Sequence, residues 1–386
     1  MDRCDVLIVG GGPAGSTCAR RLHTGGLDVV VLDKQRFPRN KTCAGWVTPP
    51  VIDLLQIDRD NYSHERVFQP IRGFRTGLIG GEEVTTSYPE IVSYGIRRCE
   101  FDDYLLRRSE ARLLLGEPLD SLRRDGDDWI VNEQIRTPLV VGAGGHFCPV
   151  GRMFGSRKGP HRSVVAAQEV EFEVQAAELA AGTAEPDIPE LFFCDDLSGY
   201  GWCFRKGNFL NIGLGRLDKR QLSRHVEAFC DFLRERGKVR CEIPERFHGH
   251  AYQLYEGTPP KLFDEAVLLI GDAAGLAYPQ SGEGIRPAVE SGLMAAEVIL
   301  TAAGNYRTEN LTPYDEHIRE RFGTPRNGSI TDRLPAGWLH ALAARLLTTK
   351  WFARHIVLDR WFLHRHEPDL LTDITVPNSQ GHPLRC

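Results

Sequence analysis

The sequence predicts an α/β fold in which a Rossmann-like domain carries an inserted, mainly antiparallel sheet (an α+β layer) and is followed by a C-terminal helical segment. Three observations favour this fold. An apolar strand, a glycine turn and a helical pattern follow one another at residues 5–22. A similar succession returns at 266–300. Between the two, residues 70–94 and 163–261 are rich in short strand patterns, which are typical of an inserted antiparallel layer.

Composition and charge exclude several classes of protein. The net charge of −5 and the pI near 6.2 give no indication of a nucleic-acid partner. No apolar run approaches the ~18 residues of a transmembrane helix, and the chain opens at once into its first strand, without a signal-peptide pattern. The ten cysteines are scattered and include no C-x-x-C pair, so we expect a cytoplasmic protein without a metal site or disulfide framework.

The first glycine turn has the spacing G-x-G-x-x-G between a strand and a helix, the context in which this motif binds a dinucleotide. Gly10 allows the tight turn, Gly12 leaves the backbone open to a pyrophosphate, and Gly15 lets helix and strand pack closely. Pro13 and Ala14 stand at the helix N-terminus, whose free N–H groups attract phosphates. These five residues are therefore predicted to bind the cofactor.

A carboxylate follows at the expected distance. The second strand ends at Asp33, 18 residues after Gly15, where a dinucleotide site places an acid on the adenosine ribose. The neighbouring Lys34 is assigned to the same part of the site. A fortuitous glycine turn with a surface Asp is the alternative, and the combination of strand, helix and carboxylate argues against it. The motif alone does not distinguish FAD from NAD(P).

The second glycine-rich region favours FAD. Gly271 and Asp272 follow a buried strand, and Gly282, Gly284 and Ile285 open a helix. Asp272 can accept hydrogen bonds from ribityl hydroxyls, and the helix start can stabilise negative charge at the N1/O2 edge of a reduced flavin. An Asp that caps something local is the alternative. Two glycine-led helix starts, one towards each end of the chain, suit a ligand as long as FAD.

Other candidates are ambiguous on their own. Cys43 lies among basic residues in the loop 34–46 (the Cys43 loop), where cations favour a thiolate, but most free cysteines are small buried fillers. Tyr200, Trp202 and Phe204 (the aromatic wall) share one face of a strand, either as sheet core or as an apolar wall for a flat or lipidic ligand. Composition favours filler and core.

Three further features allow two interpretations each. Arg98, at the start of a helix, is either part of a site or a solvated surface arginine. Gly144 belongs either to a ligand-binding turn or to an ordinary strand-to-loop turn. Residues 338–366 form a basic amphipathic pattern with tryptophans, typical either of a helix lying on a membrane or of a helix that covers the core and shows a basic outer face. The second interpretation of this pattern is favoured.

These segments together resemble the FAD-dependent geranylgeranyl reductase family, within the p-hydroxybenzoate-hydroxylase-like flavoprotein superfamily. The resemblance covers about residues 1–325. It is carried, in chain order, by Gly10-x-Gly12-x-x-Gly15 with Asp33, Pro38-Arg39-x-Lys41-x-Cys43-Ala44-Gly45, Arg98-x-x-Phe101-Asp102, Tyr200-x-Trp202-x-Phe204-x-Lys206-Gly207, and Gly271-Asp272-Ala273-Ala274-Gly275 through Gly282-Glu283-Gly284-Ile285.

The resemblance implies a flavin enzyme that reduces carbon–carbon double bonds in a prenyl or other lipid-like substrate. It implies that Arg98 and Gly144 belong to the FAD site. It also favours a functional role for Cys43 and the aromatic wall over a role as buried filler and sheet core. Catalytic roles are then assigned to Cys43, Tyr200 and Trp202. The implied substrate-binding residues are Cys43, Gly45, Trp46, Tyr200, Trp202 and Phe204.

The resemblance also suggests the domain layout. The FAD-binding domain is expected to comprise residues 1–50, 95–160 and 262–325, the substrate domain 51–94 and 161–261, and the C-terminal helical segment 326–386. No second G-x-G-x-x-G suits NAD(P)H, so the electron donor is NAD(P)H bound by other means, a ferredoxin or a separate reductase.

Two rival functions stay open at this point. The first is a flavin monooxygenase or halogenase, although the Trp-x-Trp-x-Ile-Pro run expected of a halogenase is absent. The second is a flavin-binding protein without chemistry of its own, which would contact a membrane-associated partner through residues 338–366. The family pattern also differs here, because Arg205 stands where proline is usual and Ala44 where the loop commonly has glycine.

Overall fold

The structure is a computed structural model that describes residues 1–154, 163–257, 261–323 and 345–368. Its strands are β1 Asp2–Arg3, β2 Val6–Val9, β3 Val29–Asp33, β4 Trp46–Val47, β5 Phe68–Ile71, β6 Gly73–Leu78, β7 Glu83–Ser87, β8 Ser93–Ile96, β9 Arg112–Leu115, β10 Leu122–Asp125, β11 Asp128–Val131, β12 Ile135–Thr137, β13 Val140–Gly142, β14 Val164–Glu173, β15 Glu190–Phe193, β16 Gly199–Lys206, β17 Phe209–Arg216, β18 His248–Gln253, β19 Phe263–Asp264 and β20 Val267–Leu269.

The helices are α1 Pro13–Thr24, α2 Pro49–Leu54, α3 Arg59–Glu65, α4 Arg98–Arg107, α5 Pro149–Met153, α6 Ala176–Ala181, α7 Leu222–Glu235, α8 Ile285–Ala302, α9 Thr308–Phe322 and a short helix Lys350–Phe352, which continues as a π-helix over Ala353–Phe362. Single 3-10 turns occur at Gly145–Phe147 and Gly271–Ala273.

The Rossmann-like part is built on a six-stranded sheet of order β19-β20-β13-β2-β3-β9. Its strands are parallel except β19, which runs antiparallel to β20. Continuous apolar runs such as Val6–Val9 are buried on both faces, as a parallel sheet covered by helices requires. α1 packs against α8, where a Cβ on Gly292 would lie 2.6 Å from the Ala14 carbonyl oxygen. The predicted α/β class is confirmed.

A second, seven-stranded sheet has the order β18-β14-β17-β16-β15-β6-β7 and is antiparallel except between β15 and β6. α7 covers one face, where Cys203 packs with Phe229. Trp202 and Phe204 point to the opposite face, as the period of two predicts. The mainly antiparallel insertion is thus present, while the domain boundaries stay a prediction. Two smaller sheets, β1-β12-β11-β10 and β4-β8-β5, complete the layers.

The described part of the C-terminal helical segment covers the face of this sheet that carries the aromatic wall. Val357, Leu358 and Phe362 are buried there, and the Tyr88 hydroxyl donates to Asp359 at 2.8 Å. Trp351, by contrast, is 66% exposed. Residues 338–344 of the predicted amphipathic pattern lie outside the described residues. Within the described ranges no helix combines the length and apolar character needed to cross a membrane.

His364 anchors this segment to the Rossmann-like part. Its buried ring stacks on Tyr278 at 3.8 Å between centroids, and its two nitrogens lie 3.4 Å from Glu283 and 3.4 Å from Glu367. Burial alone would lower the pKa of His364, but the two carboxylates outweigh it and raise the pKa to about 9. The imidazolium form is therefore part of the folded structure at neutral pH.

The contribution of the His364 imidazolium to the free energy of unfolding is complete below pH 6.5. We expect stability to fall as the pH rises from 6.5 to 9, because in that range only the folded state keeps the His364 proton. The shift corresponds to at most about 3 kcal/mol. Urea unfolding of the wild type and of His364→Gln at pH 6 and pH 9.5 measures it. The substitution should remove most of this pH dependence, whereas His355→Gln, at an exposed histidine, should keep it. Equal pH dependence in all three proteins would contradict the assignment.

Candidate functional site

One cleft of about 640 Å³ brings together most of the residues singled out in the sequence. It lies where the carboxyl ends of the parallel strands meet the second sheet. The predicted residues that line it are Gly10, Gly12, Pro13, Ala14, Asp33, Lys34, Cys43, Trp46, Arg98, Gly144, Tyr200, Trp202, Asp272, Gly282, Gly284 and Ile285.

The first glycine turn leaves a cradle beside the N-terminus of α1. Gly12 is the N-cap of α1 and no side chain caps the helix, so its first N–H groups stay available to a ligand. The nearest atom to a Cβ added at Gly12 would be Arg39 Nη2, at 3.5 Å, which leaves this side of the turn open. The Asp33 carboxylate is fixed by the N–H groups of Gly11 and Gln35, both at 2.8 Å. Backbone, dipole and carboxylate suit an ADP group.

The second glycine-rich region places Asp272 at the N-terminus of α8. A Cβ on Gly284, the uncapped N-cap, would lie 3.0 Å from Asp272 Oδ1. Asp272 Oδ2 lies 3.9 Å from His250 Nε2, which in turn contacts Lys41 Nζ. Burial opposes ionisation of Asp272, but His250 and Lys41 keep its pKa below the ordinary value. Asp272 is thus an ionised acceptor, as hydroxyl binding requires.

Arg98 is buried rather than solvated. Its guanidinium pairs with the Asp102 carboxylate through Nε at 2.9 Å and Nη2 at 2.8 Å, and Arg39 Nη1 lies 3.1 Å from the same carboxylate. Burial disfavours the charge, but Asp102 and the adjacent Cys43 side chain raise the pKa of Arg98 above its ordinary value. A cation is therefore fixed between the glycine turn and the Cys43 loop.

Lys41 adds a titratable cation to the same cleft. Burial lowers its pKa to about 8, and the attraction of Asp272 opposes that shift. His250 is also pushed towards its neutral form, since burial lowers its pKa. Sequence reasoning did not assign these two residues, nor Tyr252. The sequence did contain a signal for His250 and Tyr252, because these two residues are two positions apart on β18 and therefore share one face of the strand.

Two members of the aromatic wall face the cleft. Tyr200 and Trp202 lie 6.1 Å apart between ring centroids, and Trp46 lines the cleft beside them. The Tyr200 hydroxyl donates to the Ser281 carbonyl, and the Trp202 N–H donates to Asn211 Oδ1 at 2.7 Å. Because both polar groups are satisfied by the protein, the rings present apolar surface to a ligand. Phe362 backs the wall at 5.3 Å from Tyr200.

Cys43 is half-buried and held through its backbone. Its N–H donates to Glu169 Oε2 at 2.9 Å, and its carbonyl accepts from Asn211 Nδ2 at 3.1 Å. Its sulfur accepts from the Gly45 N–H at 3.4 Å. Burial raises the pKa of Glu169 to about 7, although the Cys43 N–H, Lys206 and Asn211 oppose the shift. The sequence did not predict Glu169 or Asn211 as partners of Cys43.

Lys206 fixes the next residues of the loop. Its side chain is 1% exposed. Its ammonium group lies 2.6 Å from Glu171 Oε1 and donates to the carbonyls of Ala44 at 3.1 Å and Ile96 at 2.9 Å. Gly45 has φ +71°, and a Cβ there would lie 2.4 Å from the Ile96 oxygen. Lys206, which follows the aromatic wall on β16, therefore supports the Cys43 loop.

Four predicted residues do not line the cleft. Gly15 and Gly271 serve close packing: a Cβ would lie 1.9 Å from the Gly10 oxygen in the first case and 3.0 Å from the Ala14 Cβ in the second. Gly45 faces Ile96 and Lys206, and Phe204 is fully buried behind Trp46, 5.1 Å away between ring centroids. Gly45 and Phe204 therefore shape the substrate side from behind instead of contacting a ligand in the cleft.

The cleft fits FAD. Two uncapped helix N-termini, two carboxylates and the buried Arg98 occur along one continuous surface, and an apolar ring surface adjoins them. At Gly12 the Cβ position is open, because its nearest atom would be Arg39 Nη2 at 3.5 Å. Among the residues that the structure describes, no group of three or more His, Cys, Asp or Glu could hold a metal ion.

Comparison with known proteins agrees with this geometry. A family model described as an FAD binding domain matches residues 3–58. A menaquinone reductase of Mycobacterium tuberculosis is 32% identical over 326 residues, which cover 77% of each chain. A digeranylgeranylglycerophospholipid reductase of Methanocaldococcus jannaschii is 26% identical and covers 96% of this chain and 99% of the relative.

Solved structures share the fold. A geranylgeranyl bacteriochlorophyll reductase-like protein from Thermoplasma acidophilum superposes with a TM-score of 0.71 at 22% identity, covering 90% of this chain and 88% of that one. The flavin-dependent halogenase CmlS gives a TM-score of 0.65 at 20% identity, with 90% and 72% covered. Fold, cleft and relatives agree: the chain is an FAD-dependent oxidoreductase and belongs to the FAD-dependent geranylgeranyl reductase family.

Proposed function

We propose that this enzyme reduces carbon–carbon double bonds in the prenyl chain of an isoprenoid or similar lipid. The observation that carries the proposal is the apolar ring surface of Trp46, Tyr200 and Trp202, which adjoins the FAD determinants in one cleft. The names of two relatives, menaquinone reductase and digeranylgeranylglycerophospholipid reductase, support it, because both named substrates carry isoprenoid chains.

The glycine turns, Asp33 and Asp272 would hold FAD in the cleft, and FAD, when bound and reduced, would supply the hydride from N5. The residues of this chain would provide the rest. The rings of Trp46, Tyr200 and Trp202 bind and orient an apolar chain and exclude water from it. The Tyr200 hydroxyl and the Trp202 N–H, both occupied within the protein, add no polar group that would favour water. Cys43 lies at the border between these rings and Arg98, where it can shape the pocket or deliver the proton that completes the reduction.

An anaerobic half-reaction tests this function. The FAD-loaded enzyme is reduced with dithionite and mixed with geranylgeranyl diphosphate or a phospholipid analogue, while flavin absorbance and product mass are followed. We expect reoxidation of the flavin together with a gain of hydrogens in the prenyl chain. If the flavin is reoxidised only after air is admitted, and the product carries oxygen, the enzyme is a monooxygenase instead. If no substrate reoxidises the flavin, the protein has no chemistry of its own.

Replacing Cys43 with alanine should spare FAD binding and lower turnover. The expected loss is about a hundredfold if the thiol delivers the proton, because a positioned general acid contributes at least that much, and smaller if the side chain only shapes the pocket. Flavin content and single-turnover reoxidation measure the two effects. Cys99→Ala, at another half-buried cysteine, is the matched control and should leave both unchanged. Unchanged turnover in Cys43→Ala would remove this residue from the mechanism.

The electron donor is proposed to be external: NAD(P)H bound without a Rossmann motif, a ferredoxin or a separate reductase. The basis is the single G-x-G-x-x-G, which the FAD determinants already use. Anaerobic mixing of the oxidised holoenzyme with NADPH, NADH or reduced ferredoxin tests the first two alternatives, because only a competent donor bleaches the flavin at a useful rate. If none of them bleaches it, a separate reductase is the donor that is left.

We also propose a peripheral membrane contact through residues 350–360. Trp351 is exposed there, and Lys350, Arg354 and Arg360 accompany it. An interfacial tryptophan with basic neighbours suits an anionic lipid surface, from which a prenyl lipid could enter the cleft. Sedimentation with anionic vesicles should deplete the wild type more than Trp351→Ser, and equal depletion would contradict the contact.

A further inference from the structure

Asn211 connects the aromatic wall to the Cys43 loop. On one side, its Oδ1 accepts the Trp202 N–H at 2.7 Å. On the other, its Nδ2 donates to the Cys43 carbonyl at 3.1 Å and to Glu169 Oε2 at 3.0 Å, with Glu171 Oε1 at 3.3 Å. Both ends of one small amide are thus used, and its side chain cannot reorient without breaking several hydrogen bonds.

Glu169 completes the connection. The same oxygen that accepts from Asn211 also accepts the Cys43 N–H at 2.9 Å. The Cys43 backbone is therefore hydrogen-bonded at its N–H to Glu169 and at its carbonyl to Asn211, and these two side chains are hydrogen-bonded to each other. The charged groups facing Glu169 are Lys206 and Glu171.

Strand register explains why these residues meet. Across β14, β17 and β16, Glu169 stands opposite Gly213, and Gly213 stands opposite Trp202. A Cβ on Gly213 would lie 2.3 Å from Trp202 Cζ2, so the indole lies directly over the glycine. The absence of a side chain at Gly213 allows this placement, in which the indole N–H reaches Asn211.

We propose that Asn211 and Glu169 are positioning residues that tie the Cys43 backbone to the Trp202 indole, so that the thiol and the apolar rings are placed as one unit around the substrate. The importance of this role for the reaction rests on the proposed function. The coupling between Cys43 and Trp202 depends only on hydrogen bonds within the protein. It accounts for a buried carboxyl and a buried amide that neither the FAD determinants nor the apolar rings otherwise require.

Cys43 alkylation tests the coupling without any substrate. The FAD-loaded holoenzyme is treated with iodoacetamide, and peptide mass spectrometry follows the rates at Cys43 and at Cys99, the other half-buried described cysteine. Glu169→Ala and Asn211→Leu should raise the Cys43 rate about tenfold, the factor expected when one or two hydrogen bonds that hold a segment are lost. Glu169→Gln keeps an oxygen that can accept both hydrogen bonds and should stay within about twofold of the wild type.

The outcomes separate positioning from general destabilisation. A rise at Cys43 alone in Glu169→Ala, with rescue in Glu169→Gln, supports the proposal. Unchanged Cys43 rates in folded, flavin-loaded variants overturn it, and so do equal rises at Cys43 and Cys99 without rescue by glutamine. Should Asn211→Leu fail to fold, the Ala and Gln variants of Glu169 decide alone. Failure of the prenyl-reduction assay would leave this result intact, so the two proposals fail separately.

Discussion

Gly15→Ala should give a protein that is strongly destabilised and retains no FAD. The added Cβ would lie 1.9 Å from the Gly10 carbonyl oxygen, so α1 must move away from the turn that follows β2. We expect a loss of about 3 kcal/mol in the free energy of unfolding, as for other overpacked sites. Urea unfolding measures the stability, and the ratio of flavin to protein absorbance after gel filtration measures FAD retention.

Gly12→Ala is the matched variant in the same turn. Its Cβ would meet only Arg39 Nη2, at 3.5 Å, and otherwise project into the cleft. The stability of the apoprotein should change by less than about 0.5 kcal/mol, whereas FAD affinity should fall by about tenfold or more. If Gly15→Ala and Gly12→Ala had the same stability and the same FAD content as each other, the first glycine turn would not be the phosphate cradle.

Lys206→Met should be the most destabilising change in the second sheet. The substitution removes an ammonium that neutralises Glu171 and donates to two carbonyls, and it leaves that carboxylate buried with Arg97 as its remaining cation, 3.2 Å away. Breaking one side of a buried ion pair costs about 3–5 kcal/mol. Urea unfolding at neutral pH gives the value.

Two further variants check the cause of the Lys206 effect. The double variant Lys206→Met, Glu171→Gln should recover part of the lost stability, because the second change removes the uncompensated charge. Lys219→Met, at an exposed lysine thirteen positions along the chain, should change stability by less than about 0.5 kcal/mol. Similar losses at Lys206 and Lys219 would contradict the assigned role.

Local patterns in the sequence predicted which glycines and which carboxylate line the cleft beside α1, and their role in cofactor binding stays a prediction. Gly10, Gly12 and Asp33 belong to one strand–turn–helix–strand unit, whose spacing is readable without knowing the rest of the fold. The Arg98–Asp102 pair is also local, at i and i+4 of α4, so its contact could be anticipated even though its burial could not. The burial of this pair depends on contacts with Cys43 and Arg39, which lie in a distant part of the chain.

The substrate side was predicted less completely, because its contacts depend on register between strands. Alternation placed Trp202 and Phe204 on one face correctly, but only the neighbouring sheet, through Trp46, decides that Phe204 lies behind the cleft. The hydrogen bond that Cys43 donates to Glu169 and the one that it accepts from Asn211 each span more than a hundred residues. No periodicity within one segment indicates which of many pairings brings such residues together.

The order of strands in the six-stranded sheet bears on how the enzyme is made in the cell. β13 lies between β2 and β20, and the cleft needs Gly10, Gly144 and Asp272 from these three distant stretches at once. During synthesis the N-terminal stretch must therefore wait, with one sheet edge and the face of α1 that contacts Gly292 uncovered, until α8 has emerged. We therefore expect flavin capture to come late in synthesis, only after the chain through α8 has emerged.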